Sequence, residues 1–227
     1  MTRKCMRIAI AGAGNVGTYV AGDLHAKGHE VILIEQNKEV VQHLKEELDV
    51  TWIVGDACEL YTLDAAVLTS CDVVVAATGD DEDNLVISLL AKQEFGVRRV
   101  VARVNHPDNE WLFTESWGVD VAVSTPHLLT SLVEEAVSTG DLIRLLKLEQ
   151  GKVALLEVTL AEGSPAEGKT VGDLEMPPDC TLVAIVRDRH VIAPTSETQL
   201  GVGDEVLALA TAEAESDLRE VLAGDEE

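Results

Sequence analysis

RIAIAGAGNVGTYVAGDLHAKGHEVILIE, residues 7–35, is the stretch whose reading decides the fold. Residues 7–11 are a short apolar run ending in glycines, the pattern of a buried strand. Residues 15–27 carry helical spacing, with Val16, Val20 and Leu24 on one face, and Gly28 stands where a helix closes. Residues 30–35 are a second apolar strand. Between the first strand and the helix lies Gly12-Ala13-Gly14-Asn15-Val16-Gly17, a GxGxxG turn in the strand-to-helix context that gives the motif meaning. Gly12 serves the tight turn, Gly14 lets a pyrophosphate approach the backbone, and Gly17 lets helix and strand pack closely. The helix start offers amide donors and partial positive charge to a phosphate. Glu35 ends the second strand, 18 residues after Gly17. An acid there accepts hydrogen bonds from ribose hydroxyls and repels a 2′-phosphate, which favours NAD(H) or an unphosphorylated adenosine over NADP.

Outward from this unit the rhythm continues. Strands are predicted at 50–54, 72–77, 99–104 and 119–123, and helices at 38–48, 59–69, 82–95 and 109–117. Continuous Val/Ile/Leu strands alternating with helices imply a parallel sheet covered on both faces. The fold class is therefore α/β, a Rossmann-type doubly wound parallel sheet. Near residue 125 the pattern changes. A helix over 126–139 carries Leu128, Leu129, Leu132, Val133, Ala136 and Val137 on a broad apolar face, and Gly140 ends it. Short strands follow at 153–160, 181–187, 190–193 and 205–211, then a helix at 213–223. The expected domains are 1–140, including the helix after the sixth strand, and 141–227, a small α+β domain with a frayed C-terminus.

Composition narrows the function. The 227 residues carry 41 Asp+Glu against 17 Lys+Arg, a formal net charge of −24. Residues 1–140 hold 22 acids and 10 bases, and residues 141–227 hold 19 and 7. No basic cluster exists, which excludes a nucleic-acid binder, a helix–turn–helix regulator included, and direct docking on an anionic leaflet. Hydrophobic residues make up 46% and aromatics 3%, so the chain builds its core from Val, Leu, Ile and Ala rather than remaining disordered. Cys5, Cys58, Cys71 and Cys180 lie far apart with no CxxC, which points to reduced thiols rather than zinc or disulfides. Arg3, Lys4 and Arg7 before an apolar run superficially resemble a secretory signal, but the glycines and Asp23 that follow argue against one. No window of about 18 apolar residues suggests a membrane span.

Further candidates follow the third, fourth and fifth strands, at the sheet edge where open α/β folds bind ligands. Asp56 and Ala57 are placed for the adenosine end, and Thr78 and Gly79 for the cleft wall. For each alone, a loop or helix-cap role is an equal reading. Arg103 stands near the same cleft, as a phosphate partner or as one half of a surface ion pair. Asp80-Asp81-Glu82-Asp83 has two readings, a divalent cation site or acids favouring a helix dipole, and the second is preferred. The histidines at 25, 29, 43, 106, 127 and 190 show no acid–base pairing, and neither G-x-S-x-G nor H-E-x-x-H occurs. A nucleotide site without a catalytic constellation suggests sensing rather than turnover. The alternative is a small NAD-dependent oxidoreductase, which needs a Lys, His or Tyr acid–base beside the nicotinamide.

Residues 7–35, Gly55-Asp56-Ala57, the stretch from Ala77 to Asn84, and Ala102-Arg103-Val104 resemble the TrkA/KtrA family, whose units are also called RCK or KTN domains. Gly168-Lys169, residues 182–187, Pro194 and Gly203-Asp204-Glu205-Val206-Leu207 resemble the family's C-terminal domain. The resemblance implies a cytoplasmic regulatory subunit, not an enzyme, peripheral to the membrane through a potassium transporter or channel subunit. It implies dimers, paired through the helices after the sixth strand, that assemble into a tetramer or an octameric ring. It implies gating of potassium flux by NAD(H) or by ADP or ATP in the Rossmann half. ATP-responsive members carry Arg where Asn15 stands. Asn15 supplies no such charge, so NAD(H) fits at least as well.

Overall fold

The computed structural model describes residues 5–137, 139–148 and 152–224, with the side chains of 135, 136 and 147 left aside. Ser138, the end of the expected helix at 139 aside, and the C-terminal residues 225–227, like Arg3 and Lys4, lie outside the described residues. The chain packs as two compact units that divide between Pro126 and His127.

The first unit is a parallel sheet of six strands: β1 (Arg7–Ala11), β2 (Glu30–Glu35), β3 (Thr51–Val54), β4 (Val73–Ala76), β5 (Arg99–Val104) and β6 (Val121–Ser124). Their order is β3-β2-β1-β4-β5-β6, so the sheet reverses direction of growth between β1 and β4. Successive side chains of a strand point to opposite faces. Ala9, Ala11, Ile32 and Ile34 accordingly enter one apolar core with Leu63, Leu85 and Ile87. Ile8, Ile10, Val31 and Leu33 enter a second core, on which Val20, Leu24, Val40 and Leu44 pack. Both faces are buried, which is why these strands read as unbroken apolar runs.

The helices are α1 (Asn15–Ala26), α2 (Lys38–Leu44), α3 (Leu60–Ala65) and α4 (Asp81–Gln93). Gly28, at φ +86°, ends the α1 segment, and its N–H donates to His25 O at 2.9 Å. Three helices are shorter or tighter than their sequence pattern. α2 stops at Leu44 although apolar spacing runs to Leu48, because the following residues turn to place Val50 and Trp52 against the sheet, with Trp52 Nε1 donating to Leu48 O. α3 gives way at Val67, which sits in the left-handed region, before a 3-10 turn over Leu68–Ser70. Residues 109–117 form no α-helix. Two 3-10 turns, Pro107–Leu112 and Glu115–Trp117, replace it, the first opened by a proline that fixes φ.

α5 (Thr125–Val137) follows β6. Leu129, Leu132, Val133 and Val137 on it are each more than half exposed.

The second unit is an antiparallel sheet in the order β10-β9-β11-β8-β7, with β7 (Ile143–Leu148), β8 (Val153–Thr159), β9 (Cys180–Arg187), β10 (His190–Ile192) and β11 (Glu205–Thr211), and a closing helix α6 (Glu215–Leu222). Leu156, Val158, Leu160, Ile185, Val206 and Leu218 are its fully buried core. β7 is a strand that the sequence pattern did not reveal. Its register against β8 shifts between Arg144 and Leu146, and this bulge breaks the alternation that marks a strand. At the far end, Arg187 donates from Nε and a terminal nitrogen to both oxygens of Asp204, each at 2.6 Å, and Gly201 N–H adds a bond at 2.8 Å. Asp204 is 1% exposed; burial acts against its charge, but these donors hold its carboxyl below the ordinary carboxylate range.

Candidate functional site at the carboxyl edge of the first sheet

The three glycines of the first turn meet three different surroundings. Gly12 lies at φ +100°, and a Cβ there would come within 2.9 Å of Ala77 O and 3.0 Å of Thr78 Cα. The turn after β1 is thus seated directly on the turn after β4. A Cβ at Gly17 would lie 1.9 Å from Gly12 O, so only glycine lets α1 start this close to β1. A Cβ at Gly14 would meet nothing within 4 Å. Gly14, Asn15 and Val16 are exposed, while Ala13 and Gly17 are buried.

The start of α1 is bare. Gly14 gives no side-chain cap, and the first turn holds no acid. α2 and α4, by contrast, are capped by the side chains of Asn37 and Asp80. The first amides of a helix have no intrahelical acceptor, so those of α1 are open to an anion.

Glu35 closes the cleft on the β2 side. Its Oε2 accepts from Ala13 N–H at 2.9 Å and its Oε1 from Asn37 N–H at 2.8 Å. The carboxylate therefore fixes the glycine turn and retains lone pairs for a hydroxyl. Beyond it, Gly55 N–H donates to Glu35 O at 3.0 Å, carrying the ladder to the β3 turn. Asp56 is exposed and its Oδ1 accepts from Cys58 N–H at 2.9 Å, while Ala57 is buried. The Cys58 thiol is pushed up to about 12 by burial first, then by the charges of Asp83 and Asp56. It stays a thiol rather than a reactive thiolate at neutral pH.

On the β4 side, Thr78 is half-buried and Gly79 exposed. Thr78 N–H donates to Asn84 Oδ1 at 2.9 Å, and Asn84 Nδ2 donates to Arg103 O at 2.9 Å. Arg103 Nε is buried and has no hydrogen-bond partner among the described residues.

The acidic run divides by role. Asp80 caps α4 through Glu82 N–H and Asp83 N–H at 3.1 and 3.4 Å. Asp81 turns inward, 3% exposed, and accepts from Asn105 N–H, Asn105 Nδ2, His106 N–H and Asn109 Nδ2. Burial opposes its charge, and these donors nonetheless hold its carboxyl below the ordinary range. Among the described residues no cluster of three or more His, Cys, Asp or Glu is arranged around a metal position. Asn84, Asn105 and the inward role of Asp81 went unread in the sequence. The one available signal was polar Asn84 and Ser88 at helical spacing on the face of α4 that also carries Leu85, Ile87 and Ala91, all buried.

The TrkA-N domain matches residues 8–125 and the TrkA-C domain residues 155–223. The chain is 51% identical over 219 residues to the Trk system potassium uptake protein TrkA of Mycobacterium tuberculosis (strain ATCC 25618 / H37Rv), covering 96% of this chain and 98% of that one. Its fold is similar to that of the GsuK channel bound to NAD, with a TM-score of 0.63 at 18% identity, over 100% of this chain and 41% of that chain. The GsuK bound to ADP gives a TM-score of 0.53 at 17% identity, over 61% of this chain and 36% of that chain. The chain thus spans about two fifths of the channel chains it is similar to. From the two domain matches and the near full-length identity, the chain belongs to the TrkA family.

Proposed function

We propose that this chain is a non-catalytic regulatory subunit of a potassium-uptake system that senses NAD(H), with ADP or ATP as lesser ligands. The observation that carries the reading is the bare start of α1 behind the GxGxxG turn, with Glu35 at the tip of the neighbouring strand. The turn Gly12, Ala13, Gly14, Asn15, Val16 and Gly17 would receive the pyrophosphate on the open amides at the start of α1, the Gly12 and Ala13 amides being taken by Ile34 O and Glu35. Glu35 would take the adenosine ribose diol, and Asp56 with Ala57 would border the adenine. Thr78 and Gly79 would form the opposite wall, with Arg103 the local cation. Relatives named for potassium uptake, and neighbours of the same fold bound to NAD and to ADP, support the reading. Asn15 brings no charge toward a third phosphate, which ranks ATP below NAD(H).

The nucleotide domain in this reading is 1–140, with the helix after β6 included, and the second domain is 141–227. Second copies of the chain would cover the exposed apolar face of α5, since a face with Leu129, Leu132, Val133 and Val137 in water is a contact surface. Dimers would then build a tetramer or octamer against a membrane potassium transporter or channel subunit. Among the described residues no helix is long and apolar enough to cross a membrane, so attachment at the cytoplasmic face would run through that protein partner. Gating requires that nucleotide bind two assembly states unequally.

Calorimetric titration with NADH, NAD+, NADP+, ADP and ATP tests the ligand. NADH or NAD+ binding at least about tenfold tighter than NADP+ is expected, a difference of about 1.4 kcal/mol. Glu35→Gln keeps one acceptor for Ala13 N–H and removes the charge, so it should narrow that ratio. Equal affinity for NADP+ in the unmodified chain sinks the ribose assignment. Potassium uptake in cells lacking the chain, with co-purification of a membrane partner, tests the role.

A further inference from the structure

We propose that Asn84 is a positioning residue for nucleotide binding: together with Asn105 it sets the width of the cleft between the β1 and β4 turns. The proposal rests on the nucleotide reading above and concerns a residue with no place in the ligand shell. Asn84 is fully buried on α4, on a face it shares with Leu85, Ile87, Ser88 and Ala91. A buried amide costs free energy unless every polar end is met. Here each end is met, and three of the four bonds go to one residue. Oδ1 accepts from Thr78 N–H and Thr78 Oγ1, each at 2.9 Å, and Nδ2 donates to Thr78 O at 3.4 Å and to Arg103 O at 2.9 Å. Asn105 Nδ2 supplies a second donor to Thr78 O at 3.3 Å and is itself held by Asp81 Oδ1 at 3.0 Å. Both backbone polar groups of Thr78 and its hydroxyl are thereby fixed from behind.

Gly12 packs against the Ala77–Thr78 backbone, where a Gly12 Cβ would stand 2.9 Å from Ala77 O and 3.0 Å from Thr78 Cα. The sheet changes direction between β1 and β4, so this contact defines the crevice at the switch point. Only an amide of this length both accepts from Thr78 and donates to Arg103 O. Aspartate lacks the donor, and leucine lacks both. The same side chain also fixes the backbone from which Arg103 projects. Asn84 thus holds two cleft walls in register without touching the ligand, and a nucleotide that meets a preformed gap avoids the ordering cost of a loose one.

The test compares Asn84→Ala, Asn105→Ala and Lys92→Met in the full chain, with NADH as probe. Lys92 also sits on α4 and ties it to Asp120 and Arg98 O, far along the helix from Thr78. For each variant the unfolding midpoint without ligand and the calorimetric Kd are measured at a temperature where circular dichroism shows the chain folded. Asn84→Ala and Asn105→Ala are expected to weaken NADH by about tenfold, the loss of one to two buried hydrogen bonds at the loop. Lys92→Met should lower the midpoint and leave Kd within about twofold, since a merely structural tie does not move the affinity of folded protein. Should Asn84→Ala fail to fold, Asn105, which is only half-buried, decides the matter. An unmodified chain that binds no NADH overturns the nucleotide reading and this proposal with it. An unmodified chain that binds, with the Asn variants binding equally well, overturns the positioning role alone.

Discussion

Substituting Gly17 and Gly14 in turn separates the two tasks of the glycine turn. A methyl at residue 17 would lie 1.9 Å from Gly12 O, and contacts of real Cβ atoms stop near 3.0 Å, so helix and turn must part by about 1.1 Å. Gly12 cannot retreat. Its N–H is bonded to Ile34 O at 2.9 Å, and its other side rests on Ala77 and Thr78. Overpacking costs about 1–3 kcal/mol, at the upper end where backbone meets backbone. The better helix propensity of alanine returns about 0.8–1.0 kcal/mol of that. The net loss of about 2 kcal/mol corresponds to a fall of about 4–8 °C in the unfolding midpoint of the first unit. Gly14 is the opposite case. Its φ of −72° and ψ of −177° suit any residue, and its Cβ direction is open. Gly14→Ala should hold stability within about 1 kcal/mol, the difference between glycine and alanine at a helix start. It should nonetheless weaken NADH by about tenfold or more, because the methyl occupies the approach to the backbone amides. Calorimetric unfolding without ligand and titration with NADH read the two effects apart. A Gly17→Ala chain as stable as the original refutes the packing argument. A Gly14→Ala chain with undiminished NADH affinity refutes the approach argument.

The remaining predictions concern charge and a turn. Asp204 has a folded pKa below its unfolded value, about 3.9, so its contribution is present above that pH and disappears as pH falls through the lowered value. Urea midpoints of the second unit should therefore drop as pH falls below about 5, and Asp204→Asn should be less stable at pH 7 with a flatter profile. An unchanged slope in the variant counts against the assignment. Asp188 and Arg189 join β9 to β10 with φ of +50° and +65°, a two-residue turn that favours Asn-Gly. Asp188→Asn with Arg189→Gly should raise the midpoint by about 1–3 °C, and a lower midpoint in differential scanning calorimetry contradicts this. The acid excess repels nucleotide and salt screens it, so Kd for NADH should stay flat or tighten by about twofold between 50 and 500 mM KCl. Steep weakening with salt, read by titration at the two concentrations, would mean that lysine and arginine dominate the site.

How much was legible depended on how local the cause is. β1, β2 and their glycine turn are governed by neighbours in sequence, and a sheet buried on both faces writes itself as apolar runs such as residues 31–34. The cleft residues Gly12, Gly17 and Glu35 were legible for the same reason, since motif spacing and strand ends fix them. β7 was not, because its bulge at Arg144–Leu146 destroys the period of two. Residues 109–117 carry helical composition, but the proline at 107 and the bonds that Asp81 makes to Asn105 and Asn109 hold the segment in tighter turns. The lattice of Asp81, Asn84 and Asn105 around Thr78 spans separations of 3 to 27 residues with no fixed spacing. Only the crossover topology brings those side chains together.

The net charge of −24 then takes on a local meaning. Charges more than about 8 Å away are largely screened at physiological salt, so an anion site in an acidic protein is decided by its nearest groups. The acids of the first unit are placed accordingly. α4 carries Asp81, Glu82 and Asp83 in its first turn and α2 carries Glu39, where each favours its own helix dipole. Like α3, and unlike α2 and α4, α1 has neither an acid in its first turn nor a side-chain cap at its start, and of these two α1 is the one that follows the GxGxxG turn. The acid nearest to it, Glu35, has each oxygen on a backbone amide, so its charge is met before any phosphate arrives. An uncapped helix start forgoes some stability, because Ser, Asn or Asp at Gly14 would add about a few tenths of a kcal/mol. The same sequence that caps α2 and α4 leaves α1 open, in a unit where every other feature of the turn brings backbone toward that opening. In the proposed reading the bare amides behind the GxGxxG turn serve a ligand, and the acidity of the chain sharpens that reading, since no diffuse positive field is present to bind an anion in their place.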